Sequence, residues 1–197
     1  MRASDRMRIA IVPLLACCVS LVFGGNAEPF PYRMIVSVEW GQPMGPESFR
    51  TELQQRIVAE ISARGCFREV DGESPETLEP DDLRLRLFID DFEQETDFEI
   101  GVAQRNNPEY DTGRSMVAHL DADFHAQVQT STAEASVRDR RFHQRSSWRP
   151  LYREDPRVEA QRKMIAAVAR TTRKFACKGS AADWSRQIEQ ARGQAPR

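Results

Sequence analysis

The sequence predicts a single α+β domain, with two helices packed on one face of a mostly antiparallel sheet in the order β-α-β-β-β-β-α. Three observations support this fold class. Apolar and polar residues alternate without a break over 116–128, as in a strand with one buried face. Apolar residues recur at helical spacing in two separate segments, 48–64 and 156–178. The chain has 197 residues, 40% of them apolar, which is enough for one domain with a substantial core.

Residues 1–27 are predicted to be a signal peptide. Basic residues stand near the N-terminus, a mostly apolar run covers 9–23, and small residues precede Glu28, where cleavage is expected. The apolar run contains Pro13 and is too short for a comfortable membrane span. Cleavage before Glu28 would leave a periplasmic or secreted protein.

A second processing route starts from the segment Leu14-Leu15-Ala16-Cys17, which resembles the lipobox of bacterial lipoproteins. Attachment of lipid at Cys17 would make the protein an outer-membrane lipoprotein. The chain stays apolar after this cysteine, whereas lipoproteins usually turn polar there. We therefore favour soluble export and keep the lipoprotein as the alternative.

The first half of the domain, which we place at 28–179, is predicted to be strand, helix, strand, strand. The strands are expected at 34–40, 66–70 and 83–89, and the helix at 48–64 is expected to end at Gly65. The segment 93–114 shows no regular pattern and is predicted to be a long loop, either functional or a floppy hairpin extension.

The strand at 116–128 is predicted to form a hairpin with the segment that follows it. Two pairing registers are open, and Asp123 faces Arg138 in one and Arg140 in the other. Phe142 breaks the alternation of the second strand, so we expect a bulge near 139–141.

The second helix is predicted to begin at Asp155-Pro156, because aspartate is a favoured N-cap and proline a favoured first helical residue. Its buried stripe is expected to contain Val158, Ile165, Val168, Thr172 and Phe175. Its other face is basic and is our candidate surface for an anionic partner; its cations are Arg162, Lys163, Arg170, Arg173 and Lys174.

Residues 180–197 are predicted to form a C-terminal helical tail. A short third helix is expected over 181–192, with Trp184 and Ile188 docked on the domain. The last residues are expected to be frayed.

Four potential metal ligands lie on one face of the strand at 116–128: His119, Asp121, Asp123 and His125. Ligands two residues apart are about 6.6 Å apart at Cα, so a neighbouring pair can share an ion but all four cannot. Arginines on the paired strand would compete with a cation. We therefore expect a solvated, ion-paired sheet face and keep a metal site as the lesser alternative.

Cys66 and Cys177 are the two cysteines that remain after cleavage before Glu28. Export to an oxidising compartment favours a disulfide between them. Each cysteine follows the end of a predicted helix. If each element simply reverses the direction of the one before it, the two helix ends lie at opposite ends of the domain. They are neighbours only if the connection at 146–154 crosses over and reverses the second helix.

Charge is distributed unevenly along the chain. Residues 28–137 contain 9 basic and 23 acidic residues, whereas residues 138–197 contain 16 basic and 6 acidic residues. The two parts either pair internally and present separate solvated faces, or the basic part contacts an anionic partner such as phosphorylated lipid headgroups.

Several segments together resemble a known family. They are the helix ending in Gly-Cys-Phe-Arg-Glu-Val at 65–70, the strand at 82–87 followed by Asp-Phe-Glu, the hairpin at 116–145 and the closing helix. This layout, over 33–178, is similar to that of the bacterial ABC-type transport auxiliary lipoproteins. It also resembles the LPS-assembly lipoprotein and the N-terminal domains of TolB and the curli secretion lipoprotein. The cysteine pair departs from the family pattern.

The resemblance implies a non-enzymatic exported envelope protein, an accessory or binding component of a transport or outer-membrane assembly system. We expect it to work within an envelope protein complex and at anionic lipid, with no catalytic residues, no cofactor and no nucleic acid partner. The alternative is a metal-binding or hydrolytic periplasmic enzyme that uses the face of 119–125. The sequence leaves the oligomeric state open.

Overall fold

A computed structural model describes residues 29–41, 44–72, 79–80, 82–100, 114–130, 133–149 and 155–193. The predicted signal peptide and Cys17 lie outside the described residues, as do 101–113 of the predicted loop. The strands are β1 (Phe30–Trp40), β2 (Phe67–Asp71), β3 (Asp82–Ile100), β4 (Arg114–Thr130) and β5 (Ala133–Trp148). The helices are α1 (Glu47–Arg64), α2 (Pro156–Ala176) and α3 (Ala181–Gly193).

The five strands form one open sheet in the order β2-β1-β3-β4-β5. β1 is parallel to both of its neighbours, β2 and β3. The longer pairs, β3 with β4 and β4 with β5, are antiparallel. The predicted fold class, an α+β domain with a mostly antiparallel sheet, is therefore confirmed, although the short pairs at one edge are parallel.

The parallel pairs explain how the two cysteines meet. Because β2 and β3 both run parallel to β1, the chain reverses between the end of β2 and the start of β3, and β5 also runs in the direction of β1. α1 and α2 follow β1 and β5 and both run back, so their C-terminal ends are neighbours. Cys66 and Cys177 are disulfide-bonded there, with Cα atoms 5.6 Å apart. The reversal expected at 146–154 was therefore misplaced, since it occurs between β2 and β3.

The core lies between the sheet and the two longer helices. α1 buries Phe49, Leu53, Ile57 and Ile61, one residue per turn, as its spacing predicts. α2 buries a stripe that includes Ile165, Val168, Thr172 and Phe175. Val158 was wrongly assigned to this stripe, because its side chain is 47% exposed.

β3 continues well beyond its predicted end. Its residues 93–100 pair with 114–121 of β4, so the loop does not begin at residue 93, and the alternative of a hairpin extension is confirmed for these residues. The pairing shifts between Asp90 and Glu93, where Asp91 has a positive φ of 48°. This bulge shifts the alternation of buried and exposed residues after Ile89. The second half of the strand therefore could not be recognised from the sequence pattern.

α3 closes one end of the sheet. Trp184, Ile188 and Ala191 of this helix are buried, as the sequence predicts for Trp184 and Ile188. The Trp184 ring lies 5.9 Å from that of Phe30 and 5.6 Å from that of Phe67, so α3 completes the core at the start of β1 and β2.

Candidate functional site

The register of the β4–β5 hairpin decides which charged residues meet. Asp123 pairs with His143, and Val128 pairs with Arg138, so the expected pairing of Asp123 with Arg138 or Arg140 was wrong. The irregularities lie near the turn, between Ala133 and Arg138, rather than at 139–141 as expected. These shifts make the register of β5 against β4 differ from the predicted one along the rest of the hairpin.

The polar sheet face is the side of the sheet turned away from α1 and α2, and it carries the four residues of the candidate metal ladder. Two of them are held by His143, whose Nε2 lies 3.0 Å from Asp121 Oδ1 and whose Nδ1 lies 3.0 Å from Asp123 Oδ1. Arg145 Nε also donates to Asp121 Oδ2 at 2.9 Å. Both aspartates of the ladder are therefore engaged by cations or imidazole, as expected of an ion-paired face.

His125 of the same ladder is engaged separately. Its Nε2 lies 2.8 Å from Asp139 Oδ2, which also accepts a hydrogen bond from Gln127 Nε2 at 3.0 Å. Burial raises the pKa of Asp139, but the hydrogen bonds from His125 and Gln127 outweigh it and leave the pKa below its ordinary value. Asp139 is thus stabilised as a carboxylate in this cluster.

The structure does not assemble the ladder into a metal centre. Among the described residues, no group of three or more histidine, cysteine, aspartate or glutamate side chains is arranged to hold a metal ion. Cys66 and Cys177 are bonded to each other, so neither is a thiolate nucleophile. The polar face is also not wholly polar, because Ile35 and Val117 are buried on it.

Arg138, which the sequence placed on the polar face, instead points toward the helices. Its guanidinium lies 3.8 Å from the centre of the Trp184 ring and donates to Gln187 Oε1 at 2.7 Å. It also donates to the carbonyl oxygens of Lys178 at 2.6 Å and Phe175 at 3.4 Å, at the C-terminal end of α2. Burial lowers the pKa of Arg138 from its ordinary value. This arginine joins β5, α2 and α3.

The sequence contained a signal for this orientation. Phe142 and Trp148 are large, partly buried residues that share the parity of Arg138, and Phe142 stacks on Phe124 with ring centres 5.3 Å apart. Counting back from Phe142 by twos places Arg138 on the helix side of β5. The predicted registers, which set Arg138 or Arg140 opposite Asp123, gave the wrong face because the shifts near the turn reset the alternation.

Two of the five predicted α2 cations are neutralised by carboxylates of the helix layer. Arg162 Nη1 lies 3.5 Å from Glu159 Oε2 in the same helix. Arg173 Nη1 donates to Glu60 Oε2 of α1 at 3.1 Å, and Glu60 also pairs with Arg56. These two arginines stabilise the helix layer rather than present free charge.

The remaining predicted cations form a line along the exposed side of α2. Lys163, Arg170 and Lys174 are spaced i, i+7 and i+11, which places them within about 40° on the helix. Lys178 follows directly after the helix, and we call these four residues the α2 basic ridge. Lys163 lies 3.9 Å over the Trp148 ring. Within the part of the chain that the structure describes, none of the four has a carboxylate at ion-pair distance.

Comparison with solved structures finds similar bacterial proteins, one of them at a TM-score that supports a shared fold. A DUF330 protein from Xanthomonas campestris matches with a TM-score of 0.50 and 12% identity, over 86% of this chain and 94% of that chain. A putative neuraminyllactose-binding hemagglutinin homolog from Helicobacter pylori matches with a TM-score of 0.49 and 13% identity, over 88% and 96%. A minor lipoprotein from Acinetobacter baumannii gives 0.41 and 12%, over 74% and 91%. At these identities the likeness shows the fold alone.

The sequence comparisons identify no family. No family model matches the chain, and no match was found among curated proteins. None of the three described helices is long and apolar enough to cross a membrane. Function must therefore be argued from the chain's own surfaces.

Proposed function

We propose that the protein is a non-enzymatic exported envelope protein that serves as an accessory or binding component of a transport or outer-membrane assembly system. The α2 basic ridge is the surface by which it rests on anionic lipid. The single observation that supports this is the line of Lys163, Arg170 and Lys174 with Lys178, whose charge the described carboxylates leave unbalanced. The expected signal peptide supports export.

The strength of this contact is modest. A cation near an anionic membrane surface contributes about 1 kcal/mol, so the ridge contributes about 4 kcal/mol at low salt. Stable anchoring usually combines such a basic patch with an acyl chain. The lipid that the alternative processing route would attach at Cys17 would supply that second contribution.

The test is sedimentation of the protein with anionic vesicles, in which phosphatidylglycerol is mixed as the minor component into phosphatidylcholine. We expect retention at about 50 mM salt, most of it lost at about 500 mM salt, and none on pure phosphatidylcholine vesicles. The variant Arg170→Glu/Lys174→Glu should weaken retention at least tenfold, since it reverses half of the ridge.

The matched control is Arg140→Glu/Arg141→Glu, which changes the net charge equally on β5 and should retain most of the vesicle binding. Equal retention at both salt concentrations, or equal loss in the two variants, would reject the ridge as the lipid-contacting surface. Equal loss would instead indicate a response to net charge alone.

A further inference from the structure

β5 is a long, regular edge strand. Its residues 138–148 pair with 118–128 of β4 without any shift in register. In the described residues β5 pairs with β4 alone and stands last in the sheet. Alternate residues of such a strand turn their N–H and C=O groups outward, where another extended chain can pair with them.

The edge is strongly basic on both of its sides. Residues 138–145 contain four arginines and one aspartate, and no lysine. Arg141 and Arg145 share the parity of the polar sheet face, whereas Arg138 and Arg140 share that of the helix side. Side chains of an added strand would therefore meet arginine on either side. A second copy of β5 would bring arginines against arginines, so charge disfavours self-pairing.

An open groove of about 650 Å³ lies beside this edge on the helix side. Its lining includes the cations Arg138, Arg140 and Lys178, the carboxylates Asp139 and Asp183, and Phe175. Arg140 and Lys178 have no carboxylate at ion-pair distance among the described residues. A side-chain carboxylate projecting from an added strand can bind the Arg140 guanidinium in this groove. Asp139 is engaged by His125 and Gln127, and Asp183 by Ser180 and Arg186.

We propose that the β5 edge binds an extended, acidic segment of a partner protein by strand addition. The partner's backbone pairs with the outward groups of β5, and its alternate carboxylates contact Arg140 on one side and Arg141 on the other. This binding surface is separate from the α2 basic ridge and does not depend on lipid binding.

Protection against aggregation is the usual reason for charge on an edge strand, and β5 differs from that pattern. Edges are commonly blunted by short length, proline, bulges or lysine. The run over 138–148 is long, free of proline and regular. Arginine binds a carboxylate through two parallel hydrogen bonds. An edge that is protected only by charge repulsion would not require this property.

The experiment measures fluorescence anisotropy of a labelled nonapeptide, Thr-Glu-Val-Glu-Val-Glu-Val-Glu-Thr, titrated with the purified protein at low salt. One control peptide replaces the central residues by proline, which prevents strand pairing, and another replaces every glutamate by lysine. We expect both controls to bind at least tenfold more weakly. Amide hydrogen exchange over 139–147 should slow when the acidic peptide is bound.

Two variants locate the binding surface. Arg140→Glu/Arg141→Glu should weaken the acidic peptide at least tenfold, whereas Arg170→Glu/Lys174→Glu should leave its affinity within threefold. Equal binding of the proline peptide would overturn strand addition, and equal binding of the lysine peptide would overturn the acidic specificity. Unchanged exchange over 139–147 in the unmodified protein would overturn the location, even if the β5 variant failed to fold.

Discussion

Arg138 connects three elements mainly through neutral groups: among the described residues Asp183 attracts it electrostatically, but no carboxylate lies at ion-pair distance. A half-buried guanidinium is costly unless its donors are satisfied. Here the carbonyls at the end of α2, the Gln187 amide and the Trp184 ring replace water. A cation also suits the negative end of a helix dipole. Arg138 therefore has a structural role, and the groove beside it depends on its position.

Replacing Arg138 by alanine should lower the free energy of unfolding by about 2–4 kcal/mol, because hydrogen bonds and the stacked contact with Trp184 are lost together. Arg138→Lys should cost less, since a lysine keeps the charge and part of the packing. Urea denaturation measures both changes. Arg140→Ala, an exposed neighbour, should change the free energy by less than about 0.5 kcal/mol. Equal effects of Arg138→Ala and Arg140→Ala would contradict the structural role.

Glu39 predicts a specific dependence of stability on pH. Arg86 donates two hydrogen bonds to its carboxylate, at 2.9 Å and 2.7 Å, and holds the pKa of Glu39 below its ordinary value of 4.5. The stabilisation is therefore fully present above about pH 4.5 and is lost as the pH falls through the lower folded-state pKa.

The variant Glu39→Gln should be less stable than the unmodified protein at pH 6, and this difference should shrink as the pH falls below 4.5. Thermal unfolding measured at several pH values provides the comparison. Glu52→Gln on α1 is the control, since Glu52 makes no ion pair within the described residues. A difference for Glu39→Gln that stays constant from pH 6 to pH 3 would refute the assignment.

At the scale of elements, the disulfide joins the C-terminal ends of the parallel helices α1 and α2. It closes a loop with a sequence separation of 111 residues. Such a crosslink restricts the unfolded chain and stabilises by about 4–5 kcal/mol in the chain-entropy model. The variant Cys66→Ser/Cys177→Ser should lose a stability of that order in urea denaturation. Two reactive thiols in the denatured, unreduced mature protein would show that the bond is absent.

The sequence predicted elements better than it predicted their connections. The periodicities of α1 and β4 identified most of their buried residues, because burial repeats at fixed spacing within an element, whereas that of α2 identified four of nine. Local irregularities caused the errors within strands. Because of the bulge at Asp91 the second half of β3 was not predicted, and because of the shifts before Arg138 the two faces of β5 were exchanged. A single added residue reverses every later side chain in a strand. Strand direction was also misjudged, since the sequence between β2 and β3 has no periodic pattern.

For the charged surfaces, too, the sequence predicted the elements better than the contacts between them. The sequence predicted a basic face on α2, but it could not show that Glu60 pairs with Arg173, because this pair joins separate helices. The β5 edge could not be recognised before the strand order was known. Long-range pairing, rather than local pattern, therefore determines which cations remain available.

At the scale of the whole molecule, the two basic surfaces lie on neighbouring elements. The basic C-terminal part contributes β5 and α2, which lie along one side, and most acidic residues belong to the part before Arg138. This side carries two distinct surfaces, the α2 basic ridge for anionic lipid and the β5 edge for an acidic strand. An accessory protein that connects a membrane with a partner protein requires two such separate surfaces.

The most direct test of this account is a titration of the acidic nonapeptide into protein already bound to the mixed phosphatidylcholine and phosphatidylglycerol vesicles. Two separate surfaces predict that the protein stays on the vesicles while it binds the peptide, even where repulsion between the acidic peptide and the anionic surface lowers the apparent peptide affinity. Release of the protein from the vesicles in proportion to bound peptide would contradict the account, because lipid and peptide would then compete for one basic surface.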